Sequence, residues 1–175
     1  MSSGFTITED QIRQKVRELA QRIERDYSDR RPVLVGVLRG SFIFLADLCR
    51  EMKMDVELDF VAISSYRDAD RPGEIVIEKD FSTPVEGRHV ILVEDIVDTG
   101  GTLALLLNHL RNRHPASVAV CAFLDKKDRR EVDVPLDYVG FVVPDEFLIG
   151  YGLDYAGRGR NLGRIKTVDT TGGEN

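Results

Sequence analysis

A six-residue apolar run near the start of the chain restricts the fold more than any other feature. Residues 33–38 read Val-Leu-Val-Gly-Val-Leu, without a polar side chain on either face. A half-exposed strand would alternate apolar and polar residues, whereas a strand that is buried on both faces would not. Sheets that helices cover on both faces are mainly parallel. The run therefore predicts an α/β fold, with a mainly parallel twisted sheet flanked by helices.

The rest of the chain supplies helices and strands in an alternation that agrees with this fold. Thr8 and Gln11 have the spacing of a capping box, and apolar residues then recur at helical spacing to about Tyr27. Further helices are predicted over 42–52 and from about Thr102, and further strands over 56–63, 75–79, 89–93, 117–124 and 138–143. The polar stretch 64–73 is predicted to be a long loop. Without repeats or linkers, residues 1–175 are expected to form one domain, with a core over about 30–145 and a small hood from the terminal segments.

Composition excludes several classes of protein. Hydrophobic residues make up 42% of the 175 positions and charged residues 31%, which is typical of a folded domain. The net charge of -6 argues against general nucleic-acid binding, because that affinity comes from clustered Lys and Arg. No apolar run approaches the ~20 residues that span a bilayer, and we expect a cytoplasmic protein with no membrane partner. Cys49 and Cys121 are predicted to be small core residues and not a disulfide or metal pair.

The segment 93–102 lies between a predicted buried strand and a predicted helix, where parallel α/β sheets bind ligands. Its second half contains Thr99, Gly100, Gly101 and Thr102. These residues offer two hydroxyls, close approach to the backbone, and free amides at a helix N-terminus. Such groups suit a phosphate.

The first half of the same segment carries three acids, Glu94, Asp95 and Asp98. They would repel a phosphate unless they bound other groups on the same ligand. Adjacent carboxylates can hold the two hydroxyls of a ribose, directly or through a divalent cation. A ligand with a sugar diol beside a 5′-phosphate would satisfy both halves. The plainer alternative is an acidic turn that only caps the helix. Three acids directly after a buried strand would be an energetically unfavourable way to cap it.

These features together resemble the type I phosphoribosyltransferases, whose signature is two acids in a strand–loop–helix with Thr-Gly. The resemblance extends over 33–168. Residues 38–41 are similar to the pyrophosphate loop of that family, and 64–66 to the start of its mobile lid. Residues 124–126 resemble its purine-contacting lysine segment, and 144–155 its base pocket. The last two segments narrow the resemblance to enzymes of 6-oxopurines.

The resemblance implies a purine salvage reaction that depends on Mg²⁺. A 5-phosphoribosyl group would pass from phosphoribosyl pyrophosphate to hypoxanthine and/or guanine, giving IMP or GMP and pyrophosphate. The partners would be these two substrates, without nucleic acid, and the chain would form a homo-oligomer, either a dimer or a tetramer.

The resemblance also implies a role for each candidate residue. Asp98 would be the general base or hydrogen-bond acceptor beside the purine N7. The residues assigned to substrates are Glu94 and Asp95 for the ribose, Asp98, Thr99, Gly100, Gly101 and Thr102 for the 5′-phosphate, Arg39, Gly40 and Arg160 for pyrophosphate, and Lys126, Phe147, Leu148 and Asp154 for the purine. Ser65 and Tyr66 would belong to the lid, and Glu94, Asp95 and Asp154 would hold the metal.

Other interpretations of the same residues stay open. Phe147 alone would more often be a core residue, and 126–130 a solvated charged face. Within the family, the alternative is an enzyme that prefers xanthine or uracil. Outside it, the alternatives are an inactive binding module, or a regulator that senses phosphoribosyl pyrophosphate. Such a regulator would bind nucleic acid and would be expected to have a basic face, which a pI of 5.1 disfavours.

Overall fold

The computed structural model of the chain describes residues 4–65 and 75–168. Six of its strands form one sheet in the order β4-β3-β2-β5-β6-β7, in which every pairing is parallel except that of β4. The elements are β1 (Thr6–Ile7), α1 (Glu9–Asp26), β2 (Val33–Leu38), α2 (Phe42–Glu51), β3 (Glu57–Ser65), β4 (Ile75–Lys79), β5 (His89–Val97), α3 (Gly101–Arg111), β6 (Ser117–Asp125), β7 (Tyr138–Val142), β8 (Leu148–Ile149) and β9 (Ile165–Thr167). The predicted α/β fold with a mainly parallel sheet is confirmed.

The central strand β2 is buried on both faces, as its composition predicts. Its three valines pack in the apolar cluster that contains the buried leucines of α3. Leu34 packs in the opposite cluster, with residues of α1 and α2. Neither face meets water, so a polar side chain at any of these positions would have to be buried without its hydration.

The first helix begins with the predicted capping box. Gln11 N donates to Thr8 Oγ1 at 3.3 Å, and Thr8 N donates to Gln11 Oε1 at 2.9 Å. The helix ends at Asp26, one residue before the predicted end. Its buried residues face the same apolar cluster as α2, which anchors both helices on one side of the sheet.

The hood expected from the terminal segments is a second sheet of three short antiparallel strands, β1-β9-β8. Ile7, Leu148 and Ile165 are buried in the cluster that covers α1 and α2. The hood is therefore packed on the main core. Cys49 and Cys121 are free thiols; Cys121 is a core residue, as predicted, whereas Cys49 is only partly buried against the core. None of the helices in the described residues is long and apolar enough to cross a membrane.

Two predicted strand ends are wrong. β5 continues to Val97 instead of ending at 93, because its pairing with β6 extends through Val97 and Asp125. β3 continues to Ser65, where pairing with β4 overrides the turn preference of the two serines. The predicted loop therefore begins later than 64, and its remaining positions lie outside the described residues.

Phe123 connects the sheet to both α2 and the hood side of the core. It is 1% exposed, and its ring centroid lies 4.7 Å from that of Phe44, 5.1 Å from that of Tyr151 and 5.6 Å from that of Phe141.

Phe123→Ala is expected to lower the free energy of unfolding by about 3–5 kcal/mol, because it leaves a cavity at this junction. Urea unfolding would measure the loss. Val142→Ala, at a position 63% exposed on β7, is the control and is expected to change it by less than about 0.5 kcal/mol. A loss below about 1 kcal/mol at Phe123 would contradict the packing described.

Candidate active site

The order of the strands reverses between β2 and β5, and the candidate site lies at that point. The chain leaves β2 toward β3 on one side of the sheet, whereas β5 lies on the other side of β2. Loops that leave the carboxyl ends of such strands diverge and open a crevice between them. Arg39 begins the loop after β2, Asp98 the loop after β5 and Lys126 the segment after β6. Three neighbouring strands thus supply candidate residues to one edge of the sheet.

Two adjoining cavities occupy this edge. The first, of about 250 Å³, contains most residues predicted to bind the ribose phosphate and pyrophosphate: Gly40, Glu94, Asp95, Asp98, Thr99, Gly100 and Thr102. The second, of about 260 Å³, contains the residues predicted to bind the purine: Lys126, Phe147, Leu148 and Asp154, with Leu153 and Arg160. Asp95, Ile96 and Asp98 line both cavities. A ligand with two parts can therefore extend from one cavity into the other.

Two adjacent acids lie on the last part of β5, and the first of them is buried. Glu94 is 8% exposed. Burial raises the pKa of Glu94 well above its usual range, and the Asp95 carboxylate adds to that rise through its charge and a hydrogen bond. Burial also raises the pKa of Asp95, against the hydrogen bond from Glu94 and the positive charge of Arg160. In the absence of a ligand the pair therefore holds a proton more tightly than free carboxyl groups do.

The loop after β2 is pressed against this acid pair. An added Cβ at Gly40 would coincide with the carboxylate of Asp95, and one at Gly152 would collide with the Gly40 carbonyl oxygen. Gly152 also has a φ of +100°, which side chains rarely adopt. Arg160 holds the Gly152 side of this contact, because its Nη1 donates to Gly152 O at 2.6 Å. Gly40 therefore lies between Asp95 on one side and Gly152 on the other, without room for a side chain at either glycine.

The start of α3 has the features of a phosphate cradle. Gly100 precedes the helix with a φ of +91°, and an added Cβ there would meet the carbonyl oxygen of Val132. The first N–H groups of α3, together with the Thr99 and Thr102 hydroxyls, are at or near the first cavity. Helix N-terminal amides lack partners within the helix and carry partial positive charge, so they favour an anion.

The second cavity is polar at one end and aromatic at the other. Lys126 is 9% exposed, whereas the next residue, Lys127, is exposed on a short 3₁₀ turn. Lys126 Nζ lies 3.6 Å from Asp145 Oδ1. Phe147 is 46% exposed and therefore not a core residue, and its ring meets the Tyr155 ring edge-on at 5.2 Å between centroids. An apolar face and a buried cation together suit a flat heterocycle that carries a carbonyl group.

The three acids predicted to hold the metal are not gathered into one cluster. No three His, Cys, Asp or Glu side chains in 4–65 and 75–168 come together in a group that could hold a metal ion. Asp154 is instead paired with Arg160, whose Nη2 lies 2.5 Å from Asp154 Oδ1. Glu94 and Asp95 offer adjacent oxygen ligands at the first cavity. This donor set fits Mg²⁺, which is commonly bound through one or two carboxylates together with substrate phosphates and water.

Some predicted residues lie at the edge of the site or outside the described part of the chain. Arg39 is exposed, and neither it nor Gly101 is among the described residues that line the two cavities. The peptide bond between Leu38 and Arg39 is cis. Tyr66 and the side chain of Ser65 lie outside the described residues.

The sequence interpretation missed two charged residues that contact the candidate site, Arg129 and Asp145. Arg129 Nε lies 2.9 Å from Asp98 Oδ1, and Arg129 Nη1 lies 3.5 Å from Asp145 Oδ1. The interpretation of 126–130 as a solvated face is therefore wrong at Lys126, which is 9% exposed, whereas the Arg129 side chain is 43% exposed and still contacts Asp98. The run of basic residues was the available signal, but it does not indicate which of them points inward without the turn that follows β6.

Comparison with known proteins agrees with this geometry. The model of the phosphoribosyl transferase domain family matches residues 6–156. A hypoxanthine phosphoribosyltransferase of Haemophilus influenzae is 45% identical over 166 residues, which cover 93% of each chain. A hypoxanthine-guanine phosphoribosyltransferase of Bacillus anthracis, solved with HEPES in its active site, is 44% identical. It has a TM-score of 0.90 and covers 97% of this chain and 99% of its own. A mutant hypoxanthine phosphoribosyltransferase of Trypanosoma cruzi, solved with the product IMP, is 38% identical, with a TM-score of 0.88 and coverage of 98% and 93%. The chain belongs to the phosphoribosyltransferase family.

The buried acid pair predicts how stability depends on pH. Because the native pKa of Glu94 is raised, its contribution to the free energy of unfolding is complete below the ordinary pKa of a Glu side chain. That contribution is lost as pH rises through the raised value. Glu94→Gln removes the ionisation and keeps the shape. We expect it to be more stable than the wild type at about pH 8 by about 1–3 kcal/mol, with little difference at about pH 4.5.

Urea unfolding at the two pH values measures this effect. Glu86→Gln, at an exposed position, is the matched control and should follow the wild type at both. A Glu94→Gln variant that follows the wild type at the higher pH would show that Glu94 ionises freely in the native state.

Proposed function

We propose that this protein is a purine salvage enzyme. It transfers the 5-phosphoribosyl group of phosphoribosyl pyrophosphate to hypoxanthine or guanine, giving IMP or GMP and pyrophosphate. The observation that carries the proposal is the pair of adjoining cavities, one lined by the acid pair and the start of α3, the other by Lys126 and Phe147. The names of the relatives and the IMP bound to one of them support the choice of purine.

The first cavity binds the phosphoribosyl donor. Glu94 and Asp95 accept hydrogen bonds from the two ribose hydroxyls, and this role makes adjacent acids compatible with a sugar phosphate. The 5′-phosphate binds at the start of α3, among the backbone amides and hydroxyls of Thr99–Thr102. Gly40, Arg39 and Arg160 receive pyrophosphate, and cationic side chains stabilise the charge that develops on it as it leaves.

The second cavity binds the acceptor base. Phe147 stacks on the purine, and the Leu148 backbone contacts its edge. Lys126 donates a hydrogen bond to the 6-carbonyl oxygen. Asp98 lines both cavities, which supports a place for it beside N7 of the bound purine. It accepts a proton from N7 as the purine becomes the nucleophile.

Mg²⁺ is the cofactor that the donor set suits. Glu94 and Asp95 would hold it near the ribose, and Asp154 would contribute from the other side of the site through water. When bound, the ion supplies positive charge that offsets the charge of the pyrophosphate leaving group. The raised pKa values of Glu94 and Asp95 agree with a pair of acids that accommodates a cation in its working state.

Three further expectations belong to the same proposal. The chain acts as one domain over 1–175, with its core over about 30–145. It works in the cytoplasm, and it does so as a homo-oligomer of two or four copies.

A panel of bases tests the proposal directly. The purified protein is incubated with phosphoribosyl pyrophosphate and Mg²⁺ and with hypoxanthine, guanine, xanthine, adenine or uracil, and nucleotide formation is followed by chromatography. We expect IMP and GMP, and no product when EDTA replaces free Mg²⁺. Product with xanthine or uracil alone would support the alternative substrate class, and no product with any base would refute the proposed activity.

Replacement of Asp98 tests the proton acceptor. Asp98→Asn keeps the shape of the side chain and removes its ability to take a proton. We expect kcat to fall by about 10²–10⁴-fold while the KM for phosphoribosyl pyrophosphate changes little. Steady-state kinetics measure both constants. Turnover like that of the wild type would exclude Asp98 from the reaction.

Replacement of Lys126 tests the recognition of the base. An ammonium group only donates hydrogen bonds, so it matches the carbonyl at position 6 of hypoxanthine or guanine and opposes the amino group of adenine. An unpaired buried polar group costs about 1–3 kcal/mol, so the wild type should reject adenine by at least about 10-fold. Lys126→Met should lower kcat/KM for hypoxanthine and guanine and narrow the gap to adenine.

Lys127→Met is the matched control for this experiment, because Lys127 is the exposed neighbour of Lys126. It should leave the choice of base unchanged. Sensitivity at Lys127, or unchanged base selectivity in Lys126→Met, would place the donor elsewhere.

A further inference from the structure

The two carboxylate oxygens of Asp98 differ in their exposure to solvent and in their neighbours. Oδ1 is buried and has no aligned hydrogen-bond partner among the described residues, although Arg129 Nε lies 2.9 Å away. The side chain as a whole is nevertheless 45% exposed. The polar atom of Asp98 that remains accessible is therefore Oδ2. One oxygen is covered by a cation, and the other is free to meet a ligand where the two cavities join.

The backbone around Arg129 is tied to the loop that carries Asp98. Arg129 ends a 3₁₀ turn, and its N–H donates to the Lys126 carbonyl at 3.0 Å. Shortly after it, the N–H groups of Glu131 and Val132 both donate to the Thr99 carbonyl, at 2.9 and 3.0 Å. Thr99 is the next residue after Asp98. These backbone hydrogen bonds keep the segment that carries Arg129 next to the loop that carries Asp98. The attraction between the two side chains adds to this backbone contact.

Asp145 connects this pair to the residue that recognises the base. Its Oδ1 lies 3.5 Å from Arg129 Nη1 and 3.6 Å from Lys126 Nζ. Arg129 is therefore shared between two acids, Asp98 on the donor side and Asp145 on the acceptor side. A planar guanidinium can contact two carboxylates at once through different edges, which an ammonium does less well.

We propose that Arg129 is a positioning residue for the transfer reaction. It fixes Oδ1 of Asp98 and thereby turns Oδ2 toward the nitrogen of the incoming purine, while Asp145 keeps the guanidinium in place. The terminal torsion of an aspartate is broad, so without Arg129 the carboxylate would sample orientations in which neither oxygen faces the base. Misplacement of a reacting group by about 1 Å is enough to lower a rate by about 100-fold. This inference rests on the proposed function, because it assigns Arg129 a part in that reaction.

A double-mutant cycle separates this role from a purely structural one. Wild type, Arg129→Met, Asp98→Asn and the double variant are compared with hypoxanthine and phosphoribosyl pyrophosphate. We expect Arg129→Met alone to lower kcat by about 10–100-fold, with the KM for phosphoribosyl pyrophosphate within about 3-fold of the wild type. In the Asp98→Asn background the same substitution should change kcat by less than about 3-fold, because its effect passes through the carboxylate.

Two single variants complete the set. Arg129→Lys should recover part of the lost kcat, since it keeps the charge without the planar group. Lys127→Met, in the same turn, should resemble the wild type. The inference is overturned if Arg129→Met has the kcat of the wild type, or if its full loss persists in the Asp98→Asn background, as a general effect on folding would produce.

Failure of the proposed function gives a different result. A wild-type protein that forms no nucleotide with any base refutes the proposed activity and says nothing against the contact of Arg129 with Asp98. The urea unfolding midpoints of the same four proteins then decide the contact. Losses that are not additive would support the ion pair, and additive losses would show that Arg129 does not hold Asp98 and would overturn the inference.

Discussion

Two adjacent carboxyl groups at the end of a central strand, one buried and the other half-buried, are the constraint on which the rest of the site depends. The backbone that carries Glu94 and Asp95 is fixed, because β5 continues in register with β6 through Val97. Like charges in a poorly solvated place raise each other's pKa, and the pair is stable only if a proton, a cation or a polyhydroxylated ligand compensates it. Arg160 provides part of that compensation from the loop beyond β8. The charge of the acid pair is therefore only partly compensated by the protein, which supports the proposed binding of ribose hydroxyls and a metal ion at this place.

Crowding around the same pair determines how the loops meet. Gly40 lies against Asp95, and Gly152 lies against Gly40, so the loop after β2 and the loop beyond β8 touch through backbone atoms. Arg160 ties these two loops together, because it donates to the Gly152 carbonyl and pairs with Asp154. A side chain at either glycine would push the loops apart and open the boundary between the two cavities. In the proposed function, this contact keeps the sugar and phosphate groups within reach of the acceptor base.

The acceptor side is organised by an alternation of charges, Asp98, Arg129, Asp145 and Lys126, each of which contacts the next. In the proposed function, the series connects the residue that accepts a proton from the base with the residue that donates a hydrogen bond to it. Because Lys126 and Oδ1 of Asp98 are buried, their contacts are less screened by salt than ordinary surface pairs.

Local patterns in the sequence were sufficient for the elements and for the donor side of the site. The apolar run of β2, the capping box of α1 and the acids followed by Thr-Gly are short-range signals, because each depends on residues within about ten positions of one another. The lysine and aromatic segments acquired a meaning only through a family resemblance. The end of β5, the contact of Arg129 with Asp98 and the pairing of Asp154 with Arg160 were decided by the tertiary structure. These features depend on contacts between residues that are far apart in the chain. Strand pairing sets where β5 ends, and contacts between distant segments set which charges face one another. Sequence determined which groups are available, and packing decided which of them meet.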